Sequence, residues 1–505
     1  MSRKVGVMLS YVLMVLEVIS TLLLTPYIIR TLGQSEFGVY KLSIAINAYL
    51  LLLDLGVGNA ITRYVAKYRV DGDNKKQSQF LGVATVFYII IAIIAIIIGV
   101  ILVLIFPTAF AKGLSPDETV LGQKLLAITM INSAVTLGTV PFANVLIAYE
   151  RFSVSRGSSI VQIIFRMILT FLAVKSGMGS IGIVTVNLVM TVLCRSFFVV
   201  YVFFKLKIFP MYKGIKASFI KEIVAYSSLI LLQMIATQLN ASIDQVLIGS
   251  LVASSAVILA VYGVGTQIVQ YFQSIGTAFT GVMMPGIVSM VERKATPKEL
   301  SDEMVRIGRI IFMVLMLIWA GFLVNGQQFV VLWAGAENKD AYLVALILMT
   351  AYVLVLTEAI GTQVLWALNE HKEQSFLKMG IVLANILLTV ILIKWQPLIG
   401  ATLGTFISLI VGDIVVMNII FVKKIGINLF AYYKGIMKGI IPSAAIAVCF
   451  GFGFSFFFSE SWLTVIANGI IMVSVYVLCM WLFGLNKYEK TLFGSIIKKV
   501  IKKKK

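Results

Sequence analysis

One stretch near the start, Gly6–Tyr40, reads GVMLSYVLMVLEVISTLLLTPYIIRTLGQSEFGVY. Its apolar part is long enough to cross a bilayer, since a helix needs about 20 residues to span a hydrocarbon core of about 30 Å. Similar runs recur to the end of the chain. Hydrophobic residues fill 60% of the 505 positions, and the mean hydropathy is +1.00. A water-soluble interior cannot hide that much apolar surface. In lipid only helices and closed barrels satisfy the backbone, and runs of this length specify helices. The chain reads as an all-α polytopic membrane protein. The opening Ser2-Arg3-Lys4 and apolar run are similar to a signal sequence, but no small-x-small cleavage site follows, so the run is kept as a membrane helix.

Hydropathy places about fourteen transmembrane helices, near 7–30, 38–62, 81–106, 123–148, 157–175, 181–204, 223–249, 256–285, 304–332, 341–368, 376–394, 399–422, 436–458 and 461–484. Alternate connections then hold 33 of the 42 lysines and arginines on one side and 7 on the other, with Arg166 and Arg195 inside helices. That asymmetry places both termini in the cytoplasm. The net charge of +20 is thus topology and contact with membrane lipids, and nucleic acid is not expected as a partner.

The first helix returns in altered form. Sliding the chain by about 216 positions puts Gly33 on Gly249, Thr21 on Thr237 and Glu17 on Gln233, and Tyr40 meets Tyr262 after a short insertion. Two six-helix repeats follow, 1–210 and 211–430. Six is even, so they are parallel, related by an axis along the membrane normal. Residues 431–484 add two helices. Residues 485–505 form a basic cytoplasmic tail with amphipathic spacing, suited to an anionic inner leaflet.

No phosphate loop, metal spacing or nucleophile elbow is present, so the chain is read as a non-enzyme without a cofactor. Cys194, Cys449 and Cys479 sit in apolar runs without metal spacing, and the single histidine, His371, lies in a polar loop. The informative residues are ionisable ones within helices. Glu17, Asp54, Arg166, Arg195, Glu358 and Asp413 each fall about 12–15 Å from the cytoplasmic end, at about 1.5 Å per residue. They form static pairs between helices, or they line a hydrated cavity where transporters place their sites. Arg30 is an interfacial snorkeller or a ligand. Arg63 follows Gly56-Val57-Gly58-Asn59, a weak helical segment able to hinge or admit a headgroup. The amides of Gln233 and Gln238 bind sugar hydroxyls or bond across helices.

The stretches Pro26-Tyr27-Ile28-Ile29-Arg30-Thr31-Leu32-Gly33, Glu36-Phe37-Gly38-Val39-Tyr40 and Leu53-Asp54-Leu55-Gly56 resemble the start of bacterial polysaccharide-repeat (O-antigen and capsule) flippases of the MATE-like (MOP) superfamily. The resemblance implies a V of two six-helix lobes that alternates access to the two membrane faces. It implies an undecaprenyl-diphosphate-linked oligosaccharide as cargo, and a polysaccharide polymerase and glycosyltransferases as partners. Lipid II flippases and cation-coupled multidrug exporters are the alternatives. The Arg-Asp pair of the former would fall at Leu24-Thr25 and is absent. With such a cargo, Arg166 and Arg195 on adjacent helices become ligands for the diphosphate, with Arg63, Arg30, Gln233 and Gln238 as further cargo contacts. Glu17, Asp54, Glu358 and Asp413 become candidates for proton or sodium coupling.

Overall fold

The computed structural model describes residues 3–212, 217–368, 370, 372–458, 461–491 and 494, and side chains at 3–5, 7, 217–233, 279–285, 372, 373 and 375 are outside that description. Among the described residues all regular structure is helical. In order the α-helices are α1 (Arg3–Leu50), α2 (Val57–Val70), α3 (Asn74–Phe110), α4 (Pro116–Gly138), α5 (Val140–Ala148), α6 (Phe152–Lys175), α7 (Gly179–Val200), α8 (Ala217–Leu251), α9 (Ser255–Glu292), α10 (Pro297–Ala334), α11 (Ala341–Ala367), α12 (Lys372–Leu392), α13 (Pro397–Ser408), α14 (Met417–Ile425), α15 (Leu429–Met437), α16 (Ile440–Ser455) and α17 (Trp462–Cys479). Among the described residues eleven stretches are long and apolar enough to cross a membrane, and the first, Met8–Val70, has 63 residues, enough for two crossings. The tail from residue 495 on lies outside the described residues.

Backbone breaks fall where the sequence weakens the helix. The turn expected between the first two spans is a single residue, Gly33, at φ 76° inside α1. Helical backbone continues through Pro26. The second expected span is interrupted by a 3-10 turn at Leu51–Asp54, with Leu55 and Gly56 both left-handed. A further break at Thr139 precedes Pro141 and separates α4 from α5. The backbone widens to a π-helix at Leu409–Val416 between α13 and α14.

The chain packs as two compact units, one of Met1–Gly263 with Asn385–Ala401, the other of Val264–Ala384 with Thr402–Lys505. In the first unit, the segment after Gly33 fastens the helix ends. Glu36 accepts from the backbone N–H of Ser180 at 2.6 Å and from its hydroxyl at 2.7 Å, capping the start of α7. Ser35 donates to Glu118 at the start of α4. Phe37 is buried. Gly38 lies so close to α9 that a Cβ would sit 1.8 Å from the Ala256 carbonyl oxygen. The Glu36–Tyr40 motif is thus largely a packing device.

In the second unit, α16 and α17 are tied to α10. Asn468 donates to Asn325 at 2.8 Å and to Ser455 at 2.7 Å. Tyr476 donates to the Met313 carbonyl at 2.9 Å. Arg309 is buried and donates to both oxygens of Glu489, at 2.7 and 3.2 Å, and to the carbonyls of Gly435, Lys438 and Gly484. Every guanidinium direction is satisfied, which a buried charge requires. Removing one partner of such a pair costs about 3–5 kcal/mol, whereas an exposed pair such as Arg306–Glu303 contributes about 0–1 kcal/mol. Arg309→Ala is therefore expected to lower the melting temperature in detergent sharply, and breaking the Glu303 pair by Glu303→Ala only slightly. Equal shifts would contradict this assignment.

Candidate functional site

The break at Leu51–Gly56 builds the candidate site. Leu55 at φ 55° occupies a conformation unfavourable for a side chain by roughly 1–2 kcal/mol. It is held by packing against the core around Val57, Ile61 and Tyr88. The turn directs Asp54 at α3, where the fully buried Tyr88 donates to Oδ1 at 2.7 Å. Beyond it α2 starts afresh, with Gly58 against α5, where a Cβ would stand 2.9 Å from Nδ2 of Asn144. Asn144 is fixed in turn, donating to the Val140 carbonyl at 3.0 Å and accepting from Thr62 at 3.1 Å.

A cavity of about 380 Å³ opens between these elements, within the first unit. Asp54 and Asn59, Thr136 of α4, Asn144 of α5 and Arg195 of α7 supply its polar wall. The Arg195 guanidinium lies 5.9 Å from the Phe198 ring. Among the described residues neither Arg195 nor Arg166 is in an ion pair. One guanidinium, one carboxylate, two amides and a hydroxyl thus meet in one space. A planar fork of donors matches phosphate, and the amides and carboxylate match hydroxyls.

The other residues singled out from sequence are dispersed. Arg166 is half-buried on α6 and is not among the residues lining this cavity. Glu17 and Arg30 are exposed on α1. Arg63 is exposed on α2, 6.0 Å from the Tyr64 ring. Gln238 donates to Ser242 one turn along its own helix at 2.7 Å. The side chain of Gln233 lies outside the described residues. In the second unit, Glu358 is buried and accepts from Asn418 at 3.2 Å and from the Tyr433 hydroxyl. Asp413 lies on the π-helical stretch in an ion pair with Lys378. Lys378 stands at the very start of the expected span 376–394, outside the layer of midplane charges, so counting depth does not reveal this pair.

Asp244 was also missed. It is buried, and accepts from Tyr262 at 2.5 Å and from Thr389 at 3.2 Å. Asn385 joins Thr389 to Asn240, donating to Asn240 at 2.9 Å. The signal was present, because Asn240/Asp244 and Asn385/Thr389 each fall one helical turn apart. Asp244 lies outside the depth layer used to select charges.

The helical fold and its long apolar spans define a multi-pass membrane protein. A family model described as polysaccharide biosynthesis protein matches residues 6–291. The chain belongs to that family. Among solved structures, it is similar to a lipid II flippase MurJ in an inward closed conformation, with TM-score 0.72 and 14% identity over 98% of this chain and 99% of the other. It is also similar to an inward-facing multidrug resistance MATE family transporter of the MOP superfamily, with TM-score 0.63 and 16% identity over 80% and 96%. A third likeness is to the MATE multidrug transporter DinF-BH in complex with R6G, with TM-score 0.56 and 15% identity over 83% and 93%. No curated protein matches the chain.

Residues in direct contact couple in a double-mutant cycle by about 0.5–3 kcal/mol. Tyr88→Phe should lower the melting temperature in the native background and lower it less in Asp54→Leu. Equal decrements in the two backgrounds would mean that the hydroxyl does not hold the carboxylate.

Proposed function

We propose that this protein is a flippase carrying an undecaprenyl-diphosphate-linked oligosaccharide from the inner to the outer leaflet of the bacterial plasma membrane. Family membership supports a role in polysaccharide biosynthesis. The cavity holding Arg195 with Asp54, Asn59 and Asn144 carries the reading to this cargo. It offers a guanidinium to a diphosphate and amides to the adjoining sugar. Arg166, on the neighbouring helix, takes part at another stage of the cycle, as do the exposed Arg30 and Arg63. Gln233 and Gln238 add amides toward the sugars.

Flipping proceeds by alternating access of residues 1–210 against 211–430, without ATP. Both termini are cytoplasmic. The carboxylates Glu17, Asp54, Glu358 and Asp413 supply proton or sodium coupling. The membrane potential assists an anion moving outward by about 2.3 kcal/mol per charge per 100 mV. Glycosyltransferases supply the cargo, and a polymerase consumes it on the outer face.

The test is a flipping assay in proteoliposomes with a lipid-linked oligosaccharide. Transport is expected without ATP, and slower with a lipid II-type peptide cargo or a cationic dye. Arg195→Lys keeps the charge and loses the fork, so the rate should fall at least about tenfold, a loss of about 1.4 kcal/mol. A properly inserted Arg195→Lys protein flipping at full rate would remove Arg195 from the mechanism. Faster movement of the dye or of lipid II would replace the cargo.

A further inference from the structure

We propose a second cargo site, in which a groove between α6 and α7 receives the isoprenoid chain of the carrier lipid. The identity of that lipid rests on the function proposed above. The groove has a volume of about 640 Å³ and lies within the first unit. Val161 and Phe165 form one wall and Leu193 and Phe197 the other. These four are exposed, so the groove is open along its side. Its floor is low at Gly157, where a Cβ would meet nothing within 4 Å.

Length argues for an isoprenoid over an ordinary acyl chain. Lining residues run along α6 from Ser153 to Leu169, about 24 Å at about 1.5 Å per residue. One leaflet offers about half of a 30 Å core. An acyl chain anchored at one surface ends near the midplane, so ordinary lipid would need one chain from each leaflet to cover this length. A long polyprenyl chain continues past the midplane.

Charge and continuity argue in the same direction. Neither Arg151, which precedes α6, nor Arg156, near its start, lines the groove, but they place two cations at that end of the helix. An anionic headgroup is thus favoured at this end of the groove. On α7, Cys194 lines the groove and the next residue, Arg195, lines the Asp54 cavity. One helix therefore presents a chain contact on one face and the anion contact on another.

The test is photolabelling of the full chain in phosphatidylcholine–phosphatidylglycerol nanodiscs. One probe is a polyprenyl diphosphate with a diazirine in its chain, the other a phospholipid with a diazirine in an acyl chain. The polyprenyl probe is expected to label peptides covering 153–169 and 190–197. Excess unlabelled polyprenyl diphosphate should reduce that labelling, and equal excess phosphatidylglycerol should not. Gly157→Leu, which fills the floor, should reduce it at least about fivefold, the loss expected for one or two methylenes of burial. Leu193→Trp blocks the opposite wall and gives the same loss if Gly157→Leu does not fold. Equal labelling by both probes without competition would mark an ordinary annular lipid and overturn the proposal. Competable labelling elsewhere would overturn the groove and leave the flippase standing. Absence of competable labelling anywhere would overturn both.

Discussion

The structure depends on one constraint, the refusal of a hydrocarbon core to solvate an unpaired polar group. The backbone meets it with helices. The side chains meet it with local partners inside each unit. Arg309 is enclosed by Glu489 and three carbonyls. Glu358 is held by Asn418 and Tyr433, and Asp413 by Lys378. Asp244 is held by Tyr262 and Thr389. Against that background the cavity beside Asp54 stands apart. Its carboxylate has a neutral partner, Tyr88, and Arg195 faces the same space without an ion pair among the described residues. A guanidinium left available inside a membrane protein is better explained by an anion that visits than by packing.

The same constraint makes helix breaks informative. A broken helix frees backbone groups, tolerable at membrane depth only where protein or a water-filled space receives them. The break at Leu51–Gly56 adjoins the cavity, and the left-handed Leu55 is a strained residue maintained by its surroundings. Transporters place discontinuous helices around their sites, and the proposed flippase follows that pattern in its first unit.

Much of the fold was legible because hydropathy needs no tertiary information. The expected spans fall on the observed helices, and the kink at Gly33 lies in the expected turn. The weak segment Gly56–Asn59 borders the actual break. The site was only partly legible. Depth along a helix follows from counting, and Asp54 and Arg195, expected at similar depth, line the same cavity. The face a side chain takes does not follow from counting. Arg166 therefore looked equivalent to Arg195 and does not share its cavity. Lys378 lies at the start of the expected span 376–394, outside the depth layer, yet it reaches Asp413 because a long side chain extends along the helix. Asp244 lay outside the chosen layer although its partners recur at one-turn spacing. The Glu36–Tyr40 motif carried the family resemblance, and in the structure it fastens helix ends.

The central claim is that Arg195 recognises the diphosphate of the carrier. The most direct measurement compares the affinity of the purified protein for a polyprenyl diphosphate with that for the polyprenol of the same chain length, in the native chain and in Arg195→Gln. The account predicts at least about tenfold tighter binding of the diphosphate by the native protein, about 1.4 kcal/mol, and loss of that preference in Arg195→Gln. Equal affinity for the two lipids, or a preference that survives Arg195→Gln intact, would contradict it.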